Sequence, residues 1–257
     1  MTRMLWRAAA MVLLLLAGLI ILLVVFPWAV HAQRQRLKRA WSRWVIAAVG
    51  LRLVSRPARI AAPSQPTMVV MNHISWLDII VLNAVMPATF VAKSEIRGWP
   101  LVGMLAARTG TIFIERGSRH AVRRVNHEIV HRLAQGEVIA FFPEGTTSDG
   151  RQVLPFHASL FAMAVPDSES HRAGAAVLPV AIGYRHCGKP TTRAAYIGDQ
   201  TLVGSMVAIL SLPGLEVTIE GLEPISATSM PDARHGLAAQ SREQIAQAVC
   251  RHWSGSS

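Results

Sequence analysis

A chain of 257 residues is long enough to bury one sizeable core. It carries 26 Lys+Arg against 15 Asp+Glu, and a net charge of +11 points to an anionic partner, either nucleic acid or an acidic membrane surface. The composition is 51% hydrophobic and only 6% aromatic, with basic residues gathered beside an apolar segment, which excludes nucleic acid in favour of the membrane.

The segment from Ala8 to Val30 is uncharged and apolar, longer than the ~20 residues that cross a bilayer core. Arg3 and Arg7 before it, with Val30-His31-Ala32 after it, resemble a secretory signal. The length of the run opposes that reading, as does the basic block Arg34, Arg36, Lys38, Arg39 and Arg43 that follows. A retained membrane anchor is expected, its basic flank on the cytoplasmic side of the inner membrane. Whether it spans or dips into one leaflet stays open. Residues 33 to 53, with Trp41, Trp44, Val45 and Leu51, read as a basic amphipathic helix. Such a helix suits anionic headgroups, or it packs its apolar stripe on the domain. Arg56 to Gln65 is a proline-bearing link. The chain thus divides into a membrane element, residues 1–55, and an α/β domain, residues 56–257.

Strand-like runs then alternate with helix-like stretches. The runs are TMVVM from Thr67, ATFVAK from Ala88, TIFIE from Thr111, VIAFF from Val138, VLPVAI from Val177, AAYIG from Ala194 and LEVTIE from Leu215. Helices are expected over Trp76–Met86, Trp99–Ala107, Ser118–Ala134, Ser159–Val165 and Pro231–Trp253. The alternation predicts an α/β fold, a mixed central sheet covered by helices. Two cysteines without framework spacing, Cys187 and Cys250, read as reduced thiols of a cytosol-facing protein.

The chemistry begins at VVMNHISWLD, Val69 to Asp78. Side chains five apart on one helix point about 140° away from each other. His73 and Asp78 therefore meet only if His73 lies in the turn after a strand and Asp78 in the first turn of the next helix. In such a pair the carboxylate fixes the imidazole tautomer and leaves the other nitrogen free to take a proton. Ser75 with Asp78 also fits a helix cap, which would make Asp78 a cap partner only.

A second cluster is Phe141 to Gly150, FFPEGTTSDG, where an apolar strand ends in acid, glycine and hydroxyl residues. Ligands bind at such strand ends, although a glycine turn closing a hairpin has the same composition. In GTIFIER, Gly110 to Arg116, an arginine ends a strand and can hold a phosphate or carboxylate, or pair with a nearby acid. The proline of VLPVAI suggests a sheet edge or a pocket wall.

Taken in order, NHISWLD, GTIFIER, FPEGTTS and VLPVAI resemble the four sequence blocks of the glycerolipid acyltransferases, over roughly Thr67 to Gly198. This family includes the 1-acylglycerol-3-phosphate (lysophosphatidic acid) O-acyltransferases. The resemblance implies an α/β domain with a membrane-associated helical element. It makes His73 the general base and Asp78 its orienting acid. Arg116 would bind the acceptor's polar head, and Glu144, Gly145, Thr146 and Thr147 would shape the same site, with Pro179 from the fourth block. It implies a lysolipid acceptor, an acyl-CoA or acyl carrier protein donor, and no cofactor. No metal is expected, since His171, His186 and Cys187 lack ligand spacing.

The reaction expected is attack by the lysolipid's free hydroxyl on an acyl thioester, giving phosphatidic acid from 1-acylglycerol-3-phosphate. The acceptor hydroxyl takes the part that a serine plays in a hydrolase, so the missing G-x-S-x-G elbow is no obstacle. Two departures matter. Thr147 stands where lysophosphatidic acid acyltransferases usually have arginine, and Phe156-His157 where they tend to have Phe-Lys. FPEGTTSDG followed by PFHASLF is more similar to the branch that acylates lyso-ornithine lipid, the alternative acceptor. A non-catalytic membrane-binding protein of the same fold is the alternative of another class, opposed by the intact His73 and Asp78.

Overall fold

The structure, a computed structural model, describes residues 2–56, 65–99, 102–114, 119–165, 174–226 and 232–255. In chain order its elements are α1 (Thr2–Ile20, continued by wider helical turns over Ile21–Val25), α2 (His31–Val49), β1 (Arg52–Arg56), β2 (Thr67–Met71), α3 (Leu77–Val85), β3 (Thr89–Lys93), α4 (Val102–Arg108), β4 (Ile112–Ile114), α5 (Arg119–Ala134), β5 (Val138–Phe141), β6 (Ala176–His186), β7 (Lys189–Pro190), α6 (Leu202–Ser211), β8 (Leu215–Gly221) and α7 (Ala233–Ser254).

The strands lie in the order β1-β8-β6-β2-β5-β3-β4, with β7 folded against β6. From β6 to β4 neighbours are parallel, β8 runs antiparallel to β6, and β1 is parallel to β8. The sheet is therefore mixed and flanked by helices, as expected from the sequence. Every residue of β2 is buried, the signature of a strand covered on both faces. Its side chains alternate: Val69 and Met71 join the core beneath α2, α3 and α6, while Met68 and Val70 join the core beneath α5 and α7. Because β2, β3, β4 and β5 are parallel, their carboxyl ends share one edge, and the segment carrying His73 and that carrying Glu144 leave the sheet side by side.

Helix α1 with the turns after it, Thr2–Val25, is long and apolar enough to cross a membrane. It packs back on α2, where Gly18 lies against the Trp41 ring and the Trp41 indole N–H donates to the Leu14 carbonyl at 2.8 Å. Helix α2 packs in turn on the domain through Val45, Ile46 and Val49. Three of its basic residues are engaged there: Lys38, Arg39 and Arg43 donate to the carbonyls of Ala88, Val85 and Ala84 at 3.1, 3.2 and 3.3 Å. Arg39 and Arg43 satisfy orphan carbonyls of α3, and cations at that end oppose its dipole. Domain packing thus takes up side chains that the sequence also offered to headgroups.

Several sequence expectations need correction. Helix α2 stops at Val49, where Gly50 takes a left-handed conformation (φ 71°). Arg52–Arg56, expected as helix end and link, is instead edge strand β1, paired with β8. AAYIG is a loop: the Tyr196 N–H leaves it to donate to the Ile74 carbonyl at 2.8 Å. The uncharged stretch after it forms α6, which the sequence reading lacked. Ser159–Val165 holds only one short 3-10 turn, Ala158–Phe161. Pro179 is buried inside the sheet on β6, not at an edge. Val180 pairs with Gly221 but Val177 with Ile225, so the register slips by one residue. That bulge falls at Pro179, the residue that has no N–H to contribute. Arg116, the expected helix start Pro231 and residues 57–64 of the link lie outside the described residues.

One side chain extends the sheet beyond β2. Asn72 is buried; its Nδ2 donates to the Ile182 carbonyl at 3.0 Å and its Oδ1 accepts from the Ile182 N–H at 2.9 Å. It replaces a ladder residue and fixes where the chain turns into His73. Asn72→Ala leaves both groups of Ile182 unpaired in the core, at about 1–3 kcal/mol each. Chemical unfolding in detergent should register a loss of about 2–6 kcal/mol; a loss under about 0.5 kcal/mol, typical of a surface change, would contradict this role.

Candidate active site

His73 sits in the turn after β2, and Asp78 in the first turn of α3. The two meet in the one arrangement that their spacing allows: the His73 Nδ1–H donates to Asp78 Oδ2 at 2.8 Å. The same oxygen accepts the N–H groups of Ile74 (2.7 Å) and Ser75 (2.9 Å). Capping and pairing are thus both served by one carboxylate. Asp78 is fully buried, and its other oxygen accepts from the Tyr184 hydroxyl at 2.7 Å. Tyr184 lies on β6, itself buried, and burial together with the Asp78 charge pushes its hydroxyl well above the usual tyrosine range. It therefore stays a donor.

The His73 ring is 18% exposed, so one side reaches solvent. Its face stacks on Phe142, with centroids 3.8 Å apart and planes 12° from parallel. With Nδ1–H committed to Asp78, Nε2 carries the lone pair. It bonds to no described residue.

Glu144 is the strap across this turn. It leaves the end of β5 and is only 4% exposed. Its Oε1 accepts from the His73 N–H at 2.8 Å and its Oε2 from the Leu154 N–H at 3.0 Å. Burial pushes its carboxyl up to about 7, against the two backbone N–H groups that pull it down. Gly145 makes the turn with φ 69°. The Ser148 N–H then donates to the His73 carbonyl at 2.8 Å, so the two loops are stitched twice. Gly150 allows their close approach, since a Cβ there would lie 2.6 Å from Ile74 Cδ1.

The remaining expected site residues are placed unequally. Thr146 is exposed, while the Thr147 hydroxyl donates to the Tyr196 carbonyl. Pro179 pairs with Val70, three residues before His73, and is enclosed in the sheet. Arg116 cannot be placed among them. Sequence reasoning missed Asn72, Phe142, Tyr184 and Tyr196. It also missed Lys93, which is exposed at the carboxyl end of β3, beside the end of β5. Among the described residues, no group of three His, Cys, Asp or Glu side chains is placed to hold a metal ion.

A buried acid orienting a solvent-facing imidazole at a strand end is competent for general-base chemistry. Comparison with known proteins gives the class. The family model described as acyltransferase matches residues 32–183. The chain is 40% identical over 215 residues to the lyso-ornithine lipid O-acyltransferase of Pseudomonas aeruginosa, covering 83% of this chain and 79% of that protein. It is 37% identical over 220 residues to the 1-acyl-sn-glycerol-3-phosphate acyltransferase of Neisseria meningitidis, covering 84% and 82%. The crystal structure of the 1-acyl-sn-glycerophosphate (LPA) acyltransferase of Thermotoga maritima shares the fold, with a TM-score of 0.64 at 22% identity over 95% of this chain and 97% of that one. The chain belongs to the acyltransferase family and is an acyltransferase.

Proposed function

We propose that this acyltransferase is membrane-bound and moves an acyl chain from acyl-CoA or acyl carrier protein to the free hydroxyl of a lysolipid. The observation that carries the reading is the buried Asp78 holding the partly exposed His73 by Nδ1 at 2.8 Å. His73 Nε2 takes the hydroxyl proton as the oxygen attacks the thioester carbonyl. An ester C–O bond forms, the C–S bond breaks, and the imidazolium returns its proton to the departing thiolate. Asp78 is the orienting acid, Tyr184 holds Asp78, and Glu144 with Gly145 sets the turn against which the acceptor lies. Helix α1 is the anchor. The domain faces the cytoplasm of the inner membrane, where acyl thioesters are supplied.

Two acceptors are compatible with this chemistry, and relatives of both kinds have similar identity. The chemistry of position 147 supports lyso-ornithine lipid, whose head has no phosphate. A phosphomonoester is held by charge-assisted bonds, whereas Thr147 has no charge and its hydroxyl proton goes to the Tyr196 carbonyl. A second reading, 1-acylglycerol-3-phosphate with phosphatidic acid as product, is supported by Lys93 at the same edge and by the block arginine Arg116. Purified protein in detergent, given one acyl donor and each acceptor in turn, should acylate lyso-ornithine lipid well above 1-acylglycerol-3-phosphate. Product from the phosphate acceptor alone would establish the second reading instead. His73→Ala should lower either rate by about 10²–10⁴-fold; an unchanged rate would remove His73 from the chemistry.

Glu144 yields a pH prediction. The folded protein holds its proton more tightly than the unfolded chain does. Its contribution to stability is therefore complete below the ordinary value of 4.5 and is lost as pH rises through about 7. Glu144→Gln abolishes this titration but turns an amide N–H₂ toward one backbone donor, so it costs stability at low pH. Thermal unfolding should show the wild-type advantage over Glu144→Gln to be largest near pH 5 and to shrink toward pH 8. A gap that widens with pH would mean the carboxylate, not the acid, is the favoured buried form.

A further inference from the structure

The described surface has an apolar element besides α1. Helix α6, LVGSMVAILS, contains no charged residue. Its inner face is supplied by Ser205, Ile209 and Leu210, all buried. Outward, Val203 is 69% and Val207 45% exposed, one turn apart, with Gly204 and Ser211 also exposed. The loop before it adds Ile197, which is 45% exposed. A helix that serves only to cover a sheet normally turns charged or polar side chains outward, and α6 does not.

Its neighbour supplies the reason. Helix α1 packs against α6, and the join is fixed by Arg7, whose Nη1 donates to the carbonyls of Leu210 at 3.2 Å and Leu212 at 3.0 Å. Ala8 of α1 and Met206 of α6 pack on the same core. Beyond that join α1 exposes Val12, Leu13, Leu16 and Ile20, each by more than half. On its other side lies α2, which exposes Arg36 and Arg39. The exposed apolar side chains of α1 thus lie on a helix that packs directly against α6.

We propose that the outer face of α6, with Ile197, enters the lipid beside α1, so that the bilayer touches the catalytic domain itself as well as its anchor. The inference rests on the membrane-bound reading above and names a second contact within it. Apolar side chains gain by leaving water for lipid, and an uncharged helix face meets no charge penalty there. The contact also bears on the reaction. Ile197 follows Tyr196, whose N–H donates to the Ile74 carbonyl at 2.8 Å and whose carbonyl accepts from Thr147. The lipid-touching edge is therefore one residue from a direct bond to the catalytic turn.

Single cysteines at Leu13, Val203, Val207 and Gln247, in a Cys187→Ser, Cys250→Ser chain, test this with an environment-sensitive fluorophore. Gln247 is exposed on α7, which packs on the other face of the sheet. The labelled protein is mixed with phosphatidylethanolamine–phosphatidylglycerol vesicles with and without nitroxide on the acyl chains. Labels at 13, 203 and 207 should shift to the blue and lose intensity to the nitroxide, while that at 247 changes in neither respect. Quenching at 13 without quenching at 203 and 207 would overturn the α6 contact and leave the anchor standing. No quenching at 13 would remove the membrane-bound reading, and the inference with it. A blue shift at 203 that depends on protein concentration without lipid would assign the face to a second copy of the chain and overturn the proposal.

Discussion

Four donors converge on the carboxylate of Asp78: the imidazole of His73, the backbone N–H groups of Ile74 and Ser75, and the hydroxyl of Tyr184. They come from the turn after β2 and from β6, and the acid itself from α3. A fully buried carboxylate is costly unless its lone pairs are met, so satisfying Asp78 requires the turn, the helix start and the neighbouring strand to take one mutual arrangement. The direction of the His73 ring follows from that requirement. Stability of the turn and the orientation of the His73 imidazole are thus set by the same bonds.

The other restraints act on the same turn from outside. Asn72 ties its start to β6, Glu144 its middle to β5, and Ser148 and Tyr196 take the carbonyls of His73 and Ile74. Few backbone groups there remain to be solvated, which rigid positioning of a general base requires. Parallel strands make the arrangement possible, because they deliver the loops after β2 and β5 to one edge of the sheet. Helix α6 follows the loop of Tyr196, whose N–H holds the Ile74 carbonyl, so the proposed lipid contact and the turn of His73 are joined through one short segment.

The parts legible in the sequence were those with local signals. Continuous apolar runs gave β2, β5 and β6, and the spacing of His73 and Asp78 showed that only a strand-to-helix turn would let them meet. Distant partners were not legible: Tyr184 lies 106 positions from Asp78, and Ile182 110 from Asn72. Nothing in VAIGYRH marks which side chain will reach an acid. Helix α6 was hidden because LVGSMVAILS is apolar on nearly every side and lacks the polar stripe that announces a surface helix. Edge strand β1 was hidden because RLVSR continues a basic helical pattern and is decided by pairing with β8 alone. The proline of β6 misled because the bulge that accommodates it is formed by β8, some 40 residues on.

The most direct test of the account is Asp78→Asn, with kcat, acceptor KM and thermal unfolding measured together. An amide keeps the size of the side chain but opposes one of the four donors with an N–H₂ group, and it no longer holds the Nδ1–H form of His73. The account predicts a fall in kcat of about 10³–10⁴-fold with acceptor KM changed little and the fold retained. A variant that keeps its fold and works within about tenfold of wild type, roughly 1.4 kcal/mol of barrier, would contradict the claim that Asp78 sets the base.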